Sequence, residues 1–223
     1  MRPFSFLVIG LGLSCIISCK EANKNNSSDT EQVTVVDTAA VAQVNYIPIA
    51  SDEALIQTAL LAAPEAGRAG AKVIGYNAAG EFVTFREGTN EFIVLVDDSS
   101  RKGFNAACYH KDLEPFMARG RALRAEGKSP DEIFAIREAE AKAGTLPIPT
   151  GATLHIYFGP STNYDPESGA VEKAKLRYVV YMPFATAEST GLPESPIAAN
   201  HPWIMNPGTH RAHIMISPIN GDQ

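Results

Sequence analysis

Cysteine and tryptophan are scarce in this sequence. It has three cysteines; two of them, Cys15 and Cys19, fall in the N-terminal apolar segment, which leaves Cys108 alone in the body of the chain. A disulfide framework cannot be built from one thiol. Cys108 therefore reads first as a small buried hydrophobe, with a reactive thiol or metal ligand as the alternative. Basic residues are outnumbered, 19 Lys and Arg against 25 Asp and Glu, for a formal net charge of −6. That dispersed acidity argues against nucleic acid as a partner. No Gly-x-Ser-x-Gly elbow occurs, no Gly-rich phosphate loop follows a strand, and no internal repeat is visible. Past the N-terminus no apolar run approaches the roughly 20 residues that a membrane-spanning helix needs.

What the chain does have is a distinctive start. Arg2 supplies a positive charge, and Phe4 to Ile17 is nearly all apolar, too short to span and matching the core of a signal peptide. It ends Ile16-Ile17-Ser18-Cys19, which resembles the lipobox of bacterial lipoproteins. The resemblance implies cleavage after Ser18, lipid on the Cys19 thiol and attachment to a membrane through acyl chains. Cys15, preceded by Gly12-Leu13-Ser14, fits less well. Lys20 in place of an aspartate suits transfer to the outer membrane, so the expected place is the cell envelope. Exported proteins usually pair their cysteines, and Cys108 would be left without an internal partner. The expected layout is a signal peptide over 1–18, a polar tether over 19–50 and one globular domain over 51–223. The tether opens Glu21-Ala22-Asn23-Lys24-Asn25-Asn26, too polar to offset its ordering entropy. Val33-Thr34-Val35-Val36 is an optional strand.

The domain predicts as α+β: a mainly antiparallel sheet of five to seven strands, a central helical hairpin and one N-terminal helix. Ser51 caps the first helix, Leu55, Ile56, Ala59, Leu60 and Ala63 repeat along it, and Pro64 stops it. Strands over 73–76, 82–86 and 92–96, separated by turn-like segments, suggest an antiparallel meander. Leu113 to Glu126 is helical, and Ser129-Pro130-Asp131-Glu132 opens a second helix with a capping box, ending at Gly144. Strands return over 154–158, 178–182 and 212–217. Between the last two lies Pro183 to Thr209, a proline-rich stretch of a length that usually marks a lid, a binding loop or structural cover.

Several segments resemble a group of uncharacterised exported bacterial proteins with no assigned activity. They are Arg86-Glu87-Gly88-Thr89-Asn90, Ala107-Cys108-Tyr109-His110, Leu113 to Arg121, Tyr181 to Pro193, Pro202-Trp203-Ile204-Met205, and Pro207-Gly208-Thr209 through Met215. The resemblance spans about 54–218 and brings no reaction with it. It implies a cysteine in related chains where Val94 stands here, able to pair with the counterpart of Cys108. In this chain that pairing is lost.

Five histidines are the natural candidates for chemistry: His110, His155, His201, His210 and His213. Cys108, His110 and Asp112 alternate, so on an extended chain they share a face. Joined by His213 or another C-terminal histidine, they would make a Cys–His or metal site. Their spacing matches no established metal signature, and structural roles are the plainer reading. His155, beside Tyr157 on a strand, reads as a surface or hydrogen-bonding residue. Arg119, with Arg121 and Arg124, could hold an anion but more simply forms a solvated helix face. Trp203, the only tryptophan, could line an apolar pocket with His201 and Tyr181. The expectation is a non-catalytic binding or structural domain whose partner is a small molecule, a glycan or a protein, with no cofactor implied. The alternative is an envelope enzyme, hydrolytic or metal-assisted, using Cys108, His110 and the C-terminal histidines.

Overall fold

The structure, a computed structural model, describes residues 44–217. The signal segment, Cys19, most of the tether and its optional strand lie outside the described residues. The domain is α+β, built on a mainly antiparallel sheet with helices on both faces. The main sheet has eight strands, more than the sequence suggested, in the order β3-β2-β4-β5-β6-β8-β10-β9. These are β2 (Lys72–Tyr76), β3 (Phe82–Arg86), β4 (Phe92–Leu95), β5 (Phe104–His110), β6 (Thr153–Gly159), β8 (Lys175–Tyr181), β9 (Trp203–Met205) and β10 (His213–Ile216). A small second sheet pairs β1 (Ile47–Pro48) with β7 (Asn163–Tyr164). Residues 47–49, placed in the tether by composition, thus join the domain: Ile49 packs against the core and its N–H donates to the Thr162 carbonyl, 3.0 Å away.

The first helix forms where its cap predicts. In α1 (Asp52–Ala59) the Ser51 hydroxyl accepts from the Ala54 N–H at 3.2 Å, and a 3-10 turn over Leu60–Ala62 follows before Pro64. Between β5 and β6 run α2 (Glu114–Ala125) and α3 (Pro130–Lys142). The capping box at Ser129 and Glu132 is complete, and Gly144, at φ 72, ends the second helix. The Arg119 guanidinium clasps Glu140 across the pair at 2.7–3.1 Å.

Two departures from expectation have physical reasons. The first three strands of the main sheet are not a meander: β2 pairs antiparallel with β3 but parallel with β4. The chain leaving β3 passes around the start of β2 instead of turning back. Arg86 donates to the Arg68 and Ala71 carbonyls, Asn90 Nδ2 to the Gly67 carbonyl, and the Thr89 and Asn90 N–H groups to Gly70. Gly88 is required there, since a Cβ would lie 2.6 Å from the Lys72 nitrogen. The second departure is β5, whose Asn-Ala-Ala-Cys sequence carries little strand propensity. It is nonetheless central, and small because both its faces are covered.

Those faces hold the two cores. One packs α1 and the turn after it against Val73, Val94, Val96, Ala106, Cys108 and Tyr157. The other packs α2 and its approach against Ile93, Tyr109, Leu154, Val179, Tyr181 and Met215, with Trp203 and Met205 at its margin.

Candidate functional site

The histidines and Cys108 are dispersed. Cys108 is buried on the α1 side, and desolvation pushes its thiol up to about 12. Its neighbours across the ladders are Val94 on β4 and His155 on β6. Residues directly opposite one another share a face, so a thiol and an imidazole are adjacent. Burial lowers the pKa of His155 just as it raises that of Cys108, so both are held neutral and no thiolate–imidazolium pair forms. The sequence put His155 at a sheet surface or in a hydrogen-bonding role; its face of the sheet is packed by α1 and the turn after it, and the ring hydrogen-bonds the Ala62 backbone there. The ring is half-buried, edge-on to Tyr178 with centroids 5.0 Å apart.

His110 ends β5 and is partly exposed. Its Nδ1 accepts from the Asp112 N–H at 3.3 Å, and its Nε2 lies 3.8 Å from Glu91. His213 lies opposite Tyr181 on the helix side, away from Cys108, with Nδ1 2.7 Å from the Arg211 carbonyl. No group of three or more His, Cys, Asp or Glu side chains able to hold a metal occurs among the described residues.

His210 is the most buried histidine, fully enclosed just before β10. The Glu138 carboxylate on α3 accepts from its backbone N–H at 2.8 Å and meets its Nδ1 at 2.6 Å. Desolvation lowers the pKa of His210 in spite of that carboxylate, so the ring is neutral and Nδ1–H is the donor. Desolvation acts to raise the pKa of Glu138, but hydrogen bonds from Lys142 and His210 outweigh it and hold the carboxyl at about 2. This pair fastens the end of the proline-rich segment to α3.

The segment is largely built structure. At its root the Phe184 N–H donates to Thr209 and the Gly208 N–H to Ala185. A short helix, α4 (Ala187–Thr190), starts at the Thr186 cap and ends at Gly191, φ 69. Further on, the Ile204 N–H bonds the Pro193 carbonyl, and 203–205 form the edge strand β9. Only the tip, 194–200, is uniformly exposed.

Beneath that tip is a cleft of about 590 Å³, lined by Ile197, His201, Trp203, Met205, Arg177 and Ser217 among others. It lies on the helix-side face of the sheet, past the cover of α2 and α3. Trp203 pairs with Met215, which pairs with Val179, all in one core face. Arg177, two residues before Val179, continues that face outward. Its guanidinium sits over the Phe158 ring, 4.5 Å from the centroid. Phe158 in turn lines a second cleft of about 420 Å³ with Pro160, Lys173 and Lys175. Arg177 Nε and His201 Nδ1 are buried without a hydrogen-bond partner among the described residues. Neither cleft has an Asp or Glu among the described residues of its lining.

Of the residues singled out from the sequence, Trp203 and His201 therefore meet in one cleft. Tyr181 lies elsewhere, buried and edge-on to Phe116 at 5.4 Å, and Arg119 is occupied by Glu140. Arg177, Phe158 and Lys175 were not singled out. A signal existed: in Lys175-Leu176-Arg177-Tyr178-Val179 the charged positions share parity with buried Val179 and Tyr181. A cation on the buried face of a strand marks where the cover ends. No protein-family profile, curated protein or solved structure matches this chain.

Proposed function

We propose that this chain is an exported bacterial lipoprotein, anchored by lipid on Cys19, whose domain is a non-catalytic binding module of the cell envelope, acting from the outer membrane. Its ligand-facing part is the Pro183–Thr209 segment. The observation that carries the reading is the cleft under the segment's tip, where an apolar wall of Trp203, Met205 and Ile197 meets two buried nitrogens that have no partner among the described residues. Ligand sites commonly combine an apolar lining with a few placed polar groups. The anchoring part rests on Ile16-Ile17-Ser18-Cys19.

Two experiments test it. Cys19→Ser should abolish processing at that site and release the protein from the membrane fraction; unchanged fractionation removes the lipoprotein half. For binding, the neutral fluorophore N-phenyl-1-naphthylamine serves as probe, because energy transfer from the only tryptophan reports arrival at the cleft. Saturable transfer, lost when 197–200 is shortened, supports the reading. Transfer unaffected by that shortening overturns it. The enzyme alternative has no observation in its favour: Cys108 and His213 lie on opposite faces of the sheet, and burial suppresses the thiolate.

A further inference from the structure

The charge pattern around the cleft narrows the ligand class. We infer that it takes a small molecule with an apolar body and one anionic head, a carboxylate or its chemical equivalent, with the head at Arg177 and the body against Trp203. The inference rests on the binding reading above and deepens it.

Consider first where the cations stand. Lys175 and Arg177 are two apart on β8, so their side chains rise from the same face about 7 Å apart. Arg177 lies against Phe158 between the two clefts, and Lys173 lines the second. The chain as a whole has more acids than bases. Some basic groups elsewhere are answered by carboxylates, Arg119 by Glu140, Arg121 by Glu114, Lys72 by Glu87 and Lys142 by Glu138, and Lys173 meets Glu172 at 3.8 Å, whereas Arg86, Arg137 and Arg211 have no ion pair among the described residues. Arg177 and Lys175 have no carboxylate within ion-pair distance among the described residues. Arg177 and Lys175 stand on an apolar face with no acid in its lining among the described residues, which favours an anion from outside.

Next is the state of the donors. Guanidinium is always charged, and Nε–H is one of its fixed donors. Here that donor is buried and makes no hydrogen bond among the described residues. A buried donor left unmet is costly, so a ligand acceptor placed there gains more than it would at a solvated arginine. His201 Nδ1, buried in the same lining, offers a second polar point, donor or acceptor according to its tautomer. The apolar requirement comes from Trp203, Met205 and Ile197, the last 68% exposed at the rim. A bare inorganic anion would leave that wall uncovered, and an uncharged apolar molecule would leave the guanidinium unanswered.

The test is calorimetric titration of the purified domain with 2-naphthoate and with 2-naphthamide, which share shape and differ in charge. Naphthoate should bind at least roughly tenfold tighter, the range of a charge-assisted hydrogen bond. Arg177→Met should remove that preference and leave naphthamide binding unchanged, while Arg177→Lys should restore part of it. Added salt should weaken naphthoate alone. Equal binding of the two overturns the anionic head and leaves the binding module standing. Binding of neither overturns the inference, and if N-phenyl-1-naphthylamine also fails to enter, the binding reading falls with it. A preference that survives in Arg177→Met, with the fold intact by circular dichroism, places the anion elsewhere and overturns the assignment to this cleft.

Discussion

The two ends of the sheet's helix-side face use the same parts to different effect. At the covered end Arg137 lies over Phe116, 3.3 Å from the ring centroid, beside His210; at the open end Arg177 lies over Phe158, with His201 in the same cleft lining. Both arginines carry a buried Nε without a partner among the described residues. Under the helices the histidine is answered from within and Arg137 is enclosed without an ion pair among the described residues. Glu138 holds His210, and Gly120 makes room for Arg137, where a Cβ would come within 3.0 Å of the guanidinium. Burial draws the pKa of Arg137 down to about 10, so it stays charged at neutral pH. At the open end no carboxylate among the described residues lines the clefts, and the cover is a loop tip instead of a helix. The same aromatic–cation unit is a packing device where it is sealed and, on the proposed function, a binding device where it is open.

The sharpest way to break this contrast is at the covered end. Phe116 is 1% exposed and touches Tyr181, His210 and Arg137. Phe116→Ala should cost about 3–5 kcal/mol, read as a fall in denaturant midpoint. A loss under about 1 kcal/mol would mean that the helices do not seal this end.

Glu138→Ala comes next. It leaves the backbone N–H and ring Nδ1–H of His210 unmet, at roughly 2–3 kcal/mol. The sign with pH follows from the carboxyl, held at about 2 against an ordinary 4.5. A depressed acid stabilises the fold fully above its unfolded value and loses that contribution as pH falls through its folded value. Wild type and Glu138→Ala should therefore differ most above about pH 4.5 and converge toward pH 2. His210, whose pKa is lowered, adds acid sensitivity of its own below its ordinary 6.5. A gap between the two proteins that stays constant down to pH 2 would show that Glu138 acts through packing alone.

How far the sequence foretells these two ends depends on what kind of signal each sends. Caps and stops are local, so Ser51, Ser129 with Glu132, and Gly144 predict helix ends that the structure reproduces within a residue or so. The strand β5 was hidden because a strand covered on both faces shows no alternation, and Ala106 and Ala107 lack strand propensity. The parallel pairing of β2 with β4 was hidden because Glu87 to Asn90 looks like a turn, although its glycine serves a close crossing. Trp203 and His201 were legible as rare residue types in a long connection. Arg177 was not, because its meaning depends on which stretch of the face the helices leave uncovered, and helix placement is not local information.

A milder test uses the face that α1 covers. Cys108→Ala removes one buried sulfur between Val94 and His155 and should cost about 1 kcal/mol. In the wild-type protein the thiol should react with a disulfide reagent at pH 8 only as fast as the fold opens, since its pKa stands at about 12. Rapid labelling of the native protein would show that Cys108 is reachable and reopen the thiol chemistry set aside above.

The smallest expected effect on stability sharpens the contrast most. Ile197 is 68% exposed at the cleft rim, so Ile197→Ser should leave the denaturant midpoint unchanged within about 0.5 kcal/mol. A large exposed apolar side chain on a loop tip contributes little to the fold it belongs to, yet its surface becomes useful once a ligand's apolar body covers it. Losing that covered area should weaken N-phenyl-1-naphthylamine binding by roughly threefold to tenfold, at about 25 cal/mol per Å² removed from water. Affinity and stability would then move independently at the open end, whereas at the covered end Phe116→Ala moves stability first. If Ile197→Ser destabilises the fold as much as it weakens the probe, the tip is cover like the helices, and the two ends differ in degree alone.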